Sequence, residues 1–163
     1  MTSRFGAIAL RPATEDDTEL LYRIYAATRS DEMRIVPWTE EQKESFLRMQ
    51  FRAQDHHYRT QLPGTDRRVV VEDGDAVGRL YVDDRPDEIQ IVDIALLPDA
   101  RGRGIGTHLL TAVLDRARAE CKRVGIHVER HNPARRFYER LGFAPVEDGD
   151  VYVLMHWVPQ GRP

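Results

Sequence analysis

The sequence predicts a mixed α/β fold in which a mostly antiparallel central sheet of about seven strands is flanked by four helices. Segments with strand-like and helical spacing of apolar residues follow one another in the order strand, two helices, three strands, helix, strand, helix, two strands. No internal repeat, low-complexity tract or linker interrupts this series. With 163 residues the chain has the length of one ordinary domain, so a single domain over residues 1–163 is expected.

The first half of the chain begins with a strand and two helices. Residues 7–10 form a short apolar run, and Thr14 can cap the following helix, whose first turn is acidic. A second helix is predicted after Thr39, because Thr39 and Gln42 have the spacing of a capping box. Two β-rich runs then flank residues 73–75, which predicts a hairpin.

The second half is organised around a nearly continuous apolar run, "EIQIVDIALL", which predicts a central strand covered on both faces. A glycine-rich segment and an amphipathic helix follow, and Cys121 continues the apolar stripe of that helix, so it is expected to be buried. After the strand "RVGIHVE", a short helix is predicted between a cap at Asn132 and a left-handed stop at Gly142. The tail predicts a closing hairpin.

Charge is distributed unevenly along the chain. The formal net charge is −3, yet residues 101–140 carry ten basic residues against four acidic ones. This segment could face an anion, or its arginines could simply lie on solvated helix faces. It lacks the interleaved aromatic residues that a stacking platform for bases needs, so no nucleic-acid partner is expected.

The sequence offers no sign of export or membrane insertion. Cys121 is the only cysteine, which excludes an intramolecular disulfide. The apolar run before Arg11 is too short for a signal peptide, and no stretch approaches the roughly 20 apolar residues of a membrane helix. A cytoplasmic protein without a membrane partner is therefore expected.

The segment "RGRGIGT", residues 101–107, places three glycines between a strand and a helix. Glycines let backbone N–H groups converge on one point, and a helix N-terminus adds partial positive charge, so this turn predicts a cradle for a phosphate. Two familiar cradles are excluded. A Walker A loop needs a lysine, and none occurs between Lys43 and Lys122, whereas a dinucleotide fingerprint needs a glycine where Thr107 stands.

Two motifs resemble the GNAT acetyltransferase superfamily. Arg101, Gly104 and Gly106 match its R/Q-x-x-G-x-G/A signature. The later segment "NPARRFYERLGF" is similar to its second motif, through Asn132, Tyr138, Gly142 and Phe143. The order of elements also agrees over residues 7–157, so the resemblance implies a GNAT-like fold.

The resemblance implies acetyl-CoA as co-substrate. Backbone amides of the glycine-rich turn would hold its pyrophosphate, and backbone groups around Leu96 would stay free to bond the pantetheine arm where two strands splay apart. A 3′-phosphate would meet an arginine of the short helix. The cofactor-binding residues implied in this way are Leu96, Leu97, Arg101, Gly102, Arg103, Gly104, Ile105, Gly106, Thr107, Asn132 and Arg135.

By the same resemblance Tyr138 is the general acid that protonates the leaving thiolate. It also lies on the apolar stripe of its short helix, so a packing role is the alternative. Asp93 interrupts an apolar strand, where a carboxylate needs a partner or a cleft, and it is the first candidate for the general base. Pairing with an arginine is the structural alternative, and Glu129, Glu32 or water could act instead.

The acceptor is expected to be a primary amine of a small molecule or peptide, acetylated directly in a ternary complex. By analogy with the family, Arg29, Glu32, Gln50 and Tyr58 are the candidate acceptor-binding residues. No metal is expected, because the adjacent histidines at 56–57 point in different directions on a helix. A module that binds acyl-CoA without turnover is the alternative function, and a homodimer through the final hairpin stays open.

Overall fold

The computed structural model describes residues 4–160 and contains seven strands within that range. The strands are β1 (Ile8–Pro12), β2 (Thr65–Glu72), β3 (Asp75–Asp84), β4 (Glu88–Leu96), β5 (Arg123–Glu129), β6 (Ala144–Asp148) and β7 (Tyr152–Trp157). The α-helices are α1 (Thr18–Thr28), α2 (Ser30–Arg34), α3 (Glu40–Gln61), α4 (Ile105–Glu120) and α5 (Arg135–Arg140). The sequence predicted four helices. It missed α2, whose five residues are too few for a helical periodicity to appear.

The strands form one sheet in the order β1-β2-β3-β4-β5-β7-β6. β4 and β5 pair in parallel, with a register from Glu88↔Arg123 to Ile91↔Ile126. β1 with β2, β5 with β7 and β6 with β7 pair antiparallel. The predicted mixed α/β class with a mostly antiparallel, seven-stranded sheet is therefore confirmed.

The chain divides into two compact units. Among the described residues, the first comprises 4–81 together with Asp93–Gly106, and the second comprises Val82–Val92 together with 107–160. In the first unit the core joins α1 and α3 to β2 and β4, through Leu21, Tyr22, Ile24, Tyr25, Leu47, Phe51, Val69 and Ala95. In the second unit the predicted stripe of α4 is buried, with Leu109, Leu110, Val113, Leu114 and Ala117 below a tenth exposed.

Helix starts in the first unit follow the predicted caps. Gln42 N–H donates to Thr39 Oγ1 at 3.1 Å, and Thr39 N–H donates to Gln42 Oε1 at 3.0 Å, so the capping box of α3 is confirmed. Thr14 precedes a short 3-10 turn that leads into α1, and the Asp17 carboxylate accepts from Thr14 N–H at 2.8 Å.

Two local predictions are wrong. α5 begins at Arg135 with Ala134 in the cap position, because the Asn132 side chain accepts from Ala134 N–H and closes a separate turn first. Cys121 is exposed, because α4 ends at Glu120 and Cys121 itself takes a left-handed backbone with φ of 61°. The left-handed stop at Gly142, with φ of 104°, is as predicted.

Within residues 4–160, none of the helices combines the length and the apolar character that crossing a membrane requires.

Candidate functional site

The glycine-rich loop lies between the end of β4 and the start of α4. Gly102 and Gly104 both adopt positive φ, of 73° and 94°, a conformation that other residues rarely take. A Cβ at Gly102 would meet nothing within 4 Å. Helix α4 starts directly afterwards at Ile105, and the first N–H groups of a helix have no partner within it. The turn therefore combines a backbone that is open at Gly102 with a helix N-terminus, which is the geometry of an anion cradle.

The side chain of Arg101 joins the loop to the rest of the first unit. Its Nε donates to Leu96 O at 2.9 Å, and its Nη2 donates to Ala27 O at 3.4 Å, at the end of α1. Leu97 N–H donates to Val77 O at 2.8 Å. Leu96 O and Leu97 N–H therefore already have hydrogen-bond partners within the protein, in Arg101 and in β3. The resemblance implied that backbone groups around Leu96 would be free for the pantetheine arm.

Arg103 forms a two-pronged ion pair with Glu72. Its Nη2 and Nη1 lie 2.7 Å and 2.8 Å from the two Glu72 carboxylate oxygens, and its Nε donates to Asp99 O at 3.2 Å. Hydrogen bonding to Arg103, supplemented by Gly6 N–H, lowers the pKa of Glu72 to about 2. The same pairing raises the pKa of Arg103 above its ordinary value. The sequence predicted that Arg103 contacts a phosphate, whereas in the structure its guanidinium binds the Glu72 carboxylate.

Asp93 lies in β4 and forms an ion pair with Arg79 of β3. Arg79 is 2% exposed, and its Nη2 also donates to Gln54 Oε1 at 3.1 Å. Burial opposes the charge on Arg79, but attraction to Asp93 outweighs it, so the pKa of Arg79 lies above its ordinary value. This arrangement is the structural alternative foreseen for Asp93: a buried charge balanced by its opposite.

Polar side chains spaced four residues apart form a stripe along α3, comprising Gln50, Gln54 and Tyr58. Tyr25 OH donates to Gln50 Oε1 at 3.1 Å, and the Tyr58 ring meets the Tyr81 ring edge-on, with centroids 5.9 Å apart. We call these three residues the α3 stripe.

Two further candidate acceptor residues join the α3 stripe at its Gln50 end. The Arg29 guanidinium lies 5.7 Å from the centre of the Tyr25 ring and pairs with Glu32 at 3.0 Å. The structure thus connects Arg29, Glu32 and Gln50 through Tyr25, and it lines up Gln50 with Tyr58 along one helix.

In the second unit Tyr138 is buried, at 7% exposed, on α5. Its ring packs against Phe137 and Phe143, with centroid distances of 5.3 Å and 5.9 Å. Arg135, one of the predicted phosphate contacts, pairs with Glu139 at 3.2 Å. The packing role foreseen for Tyr138 is thus present, and it is compatible with a chemical role for the hydroxyl.

A second buried polar group, which sequence reasoning missed, lies where β4, β5 and β7 meet. Glu88 is 7% exposed and contacts Arg123 Nε at 3.3 Å and His156 Nε2 at 3.4 Å. The neighbouring Gln90 Nε2 lies 3.3 Å from His127 Nδ1. Gly125 makes room for this group, because a Cβ there would lie 2.5 Å from Glu88 Oε1.

Arg79 and Glu72 are the other residues of the site that sequence reasoning missed. Arg79 interrupts the apolar strand "VGRLYV" as Asp93 interrupts the next strand, and two opposite charges inside neighbouring strands are a signal that could have identified the pair. Glu72 carries no such signal, because it ends an ordinary strand.

Most basic residues of the 101–140 segment have carboxylate partners. Ion pairs join Arg116 and Lys122 to Asp84, Arg118 to Asp115, Arg123 to Glu88, and Arg130 to Asp148. The excess of positive charge in the sequence is therefore largely balanced where these side chains lie. Over the part of the chain that the structure describes, no group of three or more His, Cys, Asp or Glu side chains is arranged to hold a metal ion.

Comparison with known proteins identifies the family. A model of the acetyltransferase (GNAT) family matches residues 18–143. Mycothiol acetyltransferase of Corynebacterium aurimucosum is 40% identical over 83 residues, which make up 50% of this chain and 24% of that protein. The matching region thus spans about a quarter of the length of this curated relative.

Solved structures share the fold at low sequence identity. PaiA N-acetyltransferase of Thermoplasma acidophilum, crystallised in complex with coenzyme A, has a TM-score of 0.70 and 18% identity over 93% of this chain and 99% of that chain. An acetyltransferase from Thermus thermophilus has a TM-score of 0.65 and 21% identity over 92% and 95% of the two chains. The family match covers both the glycine-rich loop and α5, and the protein therefore belongs to the acetyltransferase (GNAT) family.

Proposed function

We propose that this protein is an N-acetyltransferase that transfers the acetyl group of acetyl-CoA to a primary amine in a ternary complex. The observation that carries the proposal is the pair of positive-φ glycines, Gly102 and Gly104, directly before α4. Membership of the family supports acyl transfer. The relative from Thermoplasma acidophilum that was crystallised with coenzyme A supports this co-substrate.

The residues of the loop fit a pyrophosphate. Backbone N–H groups of residues 102–107 would donate to its oxygens, and the partial positive charge of α4 would favour them. Gly102 fits because its Cα carries no side chain and the space beside it is open. Arg101 would support this cradle by fixing the end of β4, where its Nε holds Leu96 O. In this proposal Asn132 and Arg135 are further contacts to coenzyme A, as the resemblance implies.

The reaction exchanges one bond for another. The amine nitrogen bonds to the acetyl carbon, the carbon–sulfur bond breaks, and the sulfur leaves with the bonding electron pair. The thiolate then needs a proton, for which Tyr138 is the proposed donor, and the new amide must lose one. A phenol with an ordinary pKa of about 10 gives up a proton efficiently only when it is well placed, and the aromatic packing of Tyr138 fixes its ring.

The proton lost by the amine goes to Asp93 or to water. Asp93 has a side chain 17% exposed and is the proposed base, while its ion pair with Arg79 supports the structural alternative. If Asp93 only balances Arg79, water takes the proton.

Acceptor binding is assigned to the α3 stripe together with Arg29 and Glu32. These side chains present amide, hydroxyl, guanidinium and carboxylate groups in one connected set, which suits a small polar amine or a peptide amine. Under this proposal, contacts with Gln50 and Tyr58 determine which amine binds.

A module that binds acyl-CoA without turnover is the second candidate. The close packing of Tyr138 against Phe137 and Phe143 favours it, because this packing alone would explain a tyrosine at position 138.

Calorimetric titration with acetyl-CoA and with CoA, followed by a thiol-release assay against a panel of amines, tests the proposal. Saturable binding with CoA release in the presence of one class of amine is the expected result. Binding without release for any amine would favour the non-catalytic module. A failure to bind either compound would contradict both candidates.

A further inference from the structure

Residues 4–7, which we call the N-terminal strap, lie along the end of β2. Gly6 N–H donates to Glu72 Oε2 at 2.9 Å. Ala7 N–H donates to Asp73 Oδ1 at 2.9 Å, and Asp73 N–H donates back to Ala7 O at 2.9 Å. The strap is therefore fixed to β2 and to the turn after it through both backbone and side-chain hydrogen bonds.

Glu72 links the strap to the glycine-rich loop. Its Oε2 accepts from Gly6 N–H and from Arg103 Nη1, while its Oε1 accepts from Arg103 Nη2. Arg103 Nη1 also lies 3.5 Å from Arg4 O. One carboxylate thus holds two segments that are remote in sequence, and Arg103 contacts both the carboxylate and the strap.

Phe5 brings the strap close to the loop itself. A Cβ placed on Gly104 would lie 3.4 Å from Phe5 Cε1, which is a van der Waals contact. Gly104 is one of the two positive-φ glycines of the proposed cradle, with φ of 94°. The aromatic ring therefore lies directly beside a residue whose conformation defines the cradle.

We propose that the N-terminal strap and Glu72 are part of the coenzyme A site: they set the conformation of the glycine-rich loop through Arg103, which is a positioning residue and not a phosphate ligand. This inference rests on the proposed function, since it assigns roles within the same cradle. Its support is the geometry of Arg103, whose Nε, Nη1 and Nη2 are all engaged by Asp99 O and Glu72.

Charge balance makes the two roles of Arg103 mutually exclusive. If Arg103 left Glu72 to bind a pyrophosphate, it would leave a carboxylate close to the loop, and like charges repel. While Arg103 stays paired with Glu72, the pair is neutral, and the phosphate is bound by the backbone N–H groups without help from the Arg103 side chain. Removing the Glu72 charge therefore has opposite effects under the two roles.

The first test measures the affinity for CoA of Glu72→Gln by calorimetry, well below the melting temperature. A positioning role predicts binding weaker by about tenfold, because a displaced loop no longer aims its N–H groups at one point. A ligand role predicts equal or tighter binding, because the competing carboxylate is gone, and that result would overturn the inference. Glu19→Gln is the matched control: Glu19 forms a two-pronged pair with Arg48, at 2.8 Å and 3.1 Å, between α1 and α3.

A second test uses the wild-type chain and does not depend on a variant that folds. Hydrogen exchange followed by mass spectrometry, with and without CoA, compares the peptide that contains the strap with the peptide that contains the Glu19 helix. The inference predicts that CoA slows exchange in the strap peptide and in the loop, and no change in the strap would overturn it. If the wild type binds no CoA, the proposed function fails. If it binds CoA and hydrogen exchange in the strap peptide does not change, only this inference fails.

Discussion

At the scale of single residues, alanine substitutions at Gly104 and Gly74 allow a loss of stability to be distinguished from a loss of CoA binding. Gly74 has nearly the same φ, 92° against 94°, but lies in the β2–β3 turn with nothing within 4 Å of its would-be Cβ. An alanine at either position therefore carries a similar backbone strain, about 1–2 kcal/mol.

We expect Gly104→Ala to weaken CoA binding at least about tenfold, since a strained loop misplaces its N–H groups. Gly74→Ala, measured in the same titration, should lower the melting temperature to a similar degree and weaken CoA binding far less, because this turn reaches the loop only through the N-terminal strap. Equal affinities for the two variants would remove the glycine-rich loop from the proposed site.

Tyr138→Phe tests the hydroxyl without disturbing the ring. The packing against Phe137 and Phe143 is retained, so the Kd for CoA should stay close to wild type. If the hydroxyl protonates the thiolate, kcat should fall by about a hundredfold. Tyr152→Phe, on an exposed tyrosine of β7, is the control. An unchanged kcat in Tyr138→Phe would leave Tyr138 with packing alone.

At the scale of elements, the start of α3 illustrates how far a local motif determines structure. Thr39→Ala removes the side chain that accepts from Gln42 N–H, and we expect the free energy of unfolding to fall by about 1 kcal/mol. Urea unfolding measures the change. Ser45→Ala, within the same helix on an exposed position, should have little effect, and an equal loss there would contradict the capping role.

The ion pair between Arg79 of β3 and Asp93 of β4 leads to a prediction about stability. Asp93→Asn leaves the Arg79 charge buried without a counter-ion, so the free energy of unfolding should fall by about 3 kcal/mol in urea. The double variant Arg79→Met with Asp93→Leu removes both charges and should recover much of that loss.

The catalytic role of Asp93 is tested by the kcat of the folded Asp93→Asn variant, with the Kd for CoA measured beside it. If Asp93 is the base, kcat should fall by about a hundredfold while the Kd for CoA stays close to wild type. An unchanged kcat would assign Asp93 to balancing Arg79 and would leave the proton to water.

At the scale of the whole molecule, stability should depend on pH through Asp17. Its carboxylate accepts from Arg11 Nη2 at 2.8 Å and Nη1 at 2.9 Å, and these bonds, with Thr14 N–H, lower its pKa to about 2. The unfolded chain binds this proton near pH 4, so the contribution is complete above about pH 4 and is lost as pH falls through 2.

We therefore expect Asp17→Asn to be less stable than wild type at pH 7, with a difference that shrinks as the pH approaches 2. Urea unfolding between pH 2.5 and 7 measures it. Asp17→Asn itself should keep a pH dependence in the same range from Glu72, whose pKa is also about 2, and this dependence cancels in the difference between the two proteins. A difference between the two proteins that does not change with pH would contradict the assignment to Asp17.

Much of the fold was predictable because its signals are local. The capping box at Thr39, the hairpin around Asp73 and Gly74, and the buried stripe of α4 each depend on residues within a few positions of one another. The errors have local causes too. α2 is too short to show a period, and Cys121 follows the helical spacing of α4 one residue beyond the point where the helix ends.

The sequence by itself determined the fold class, the family and the position of the glycine-rich loop, since these depend on spacing and on residue types that backbone geometry demands. Only the tertiary structure decided which charges meet. Arg103 is separated by 31 positions from Glu72, and Asp93 lies on a different strand from Arg79. Because an arginine looks the same in sequence whether it faces a phosphate or a carboxylate, its partner is set by the packing of strands that are distant along the chain.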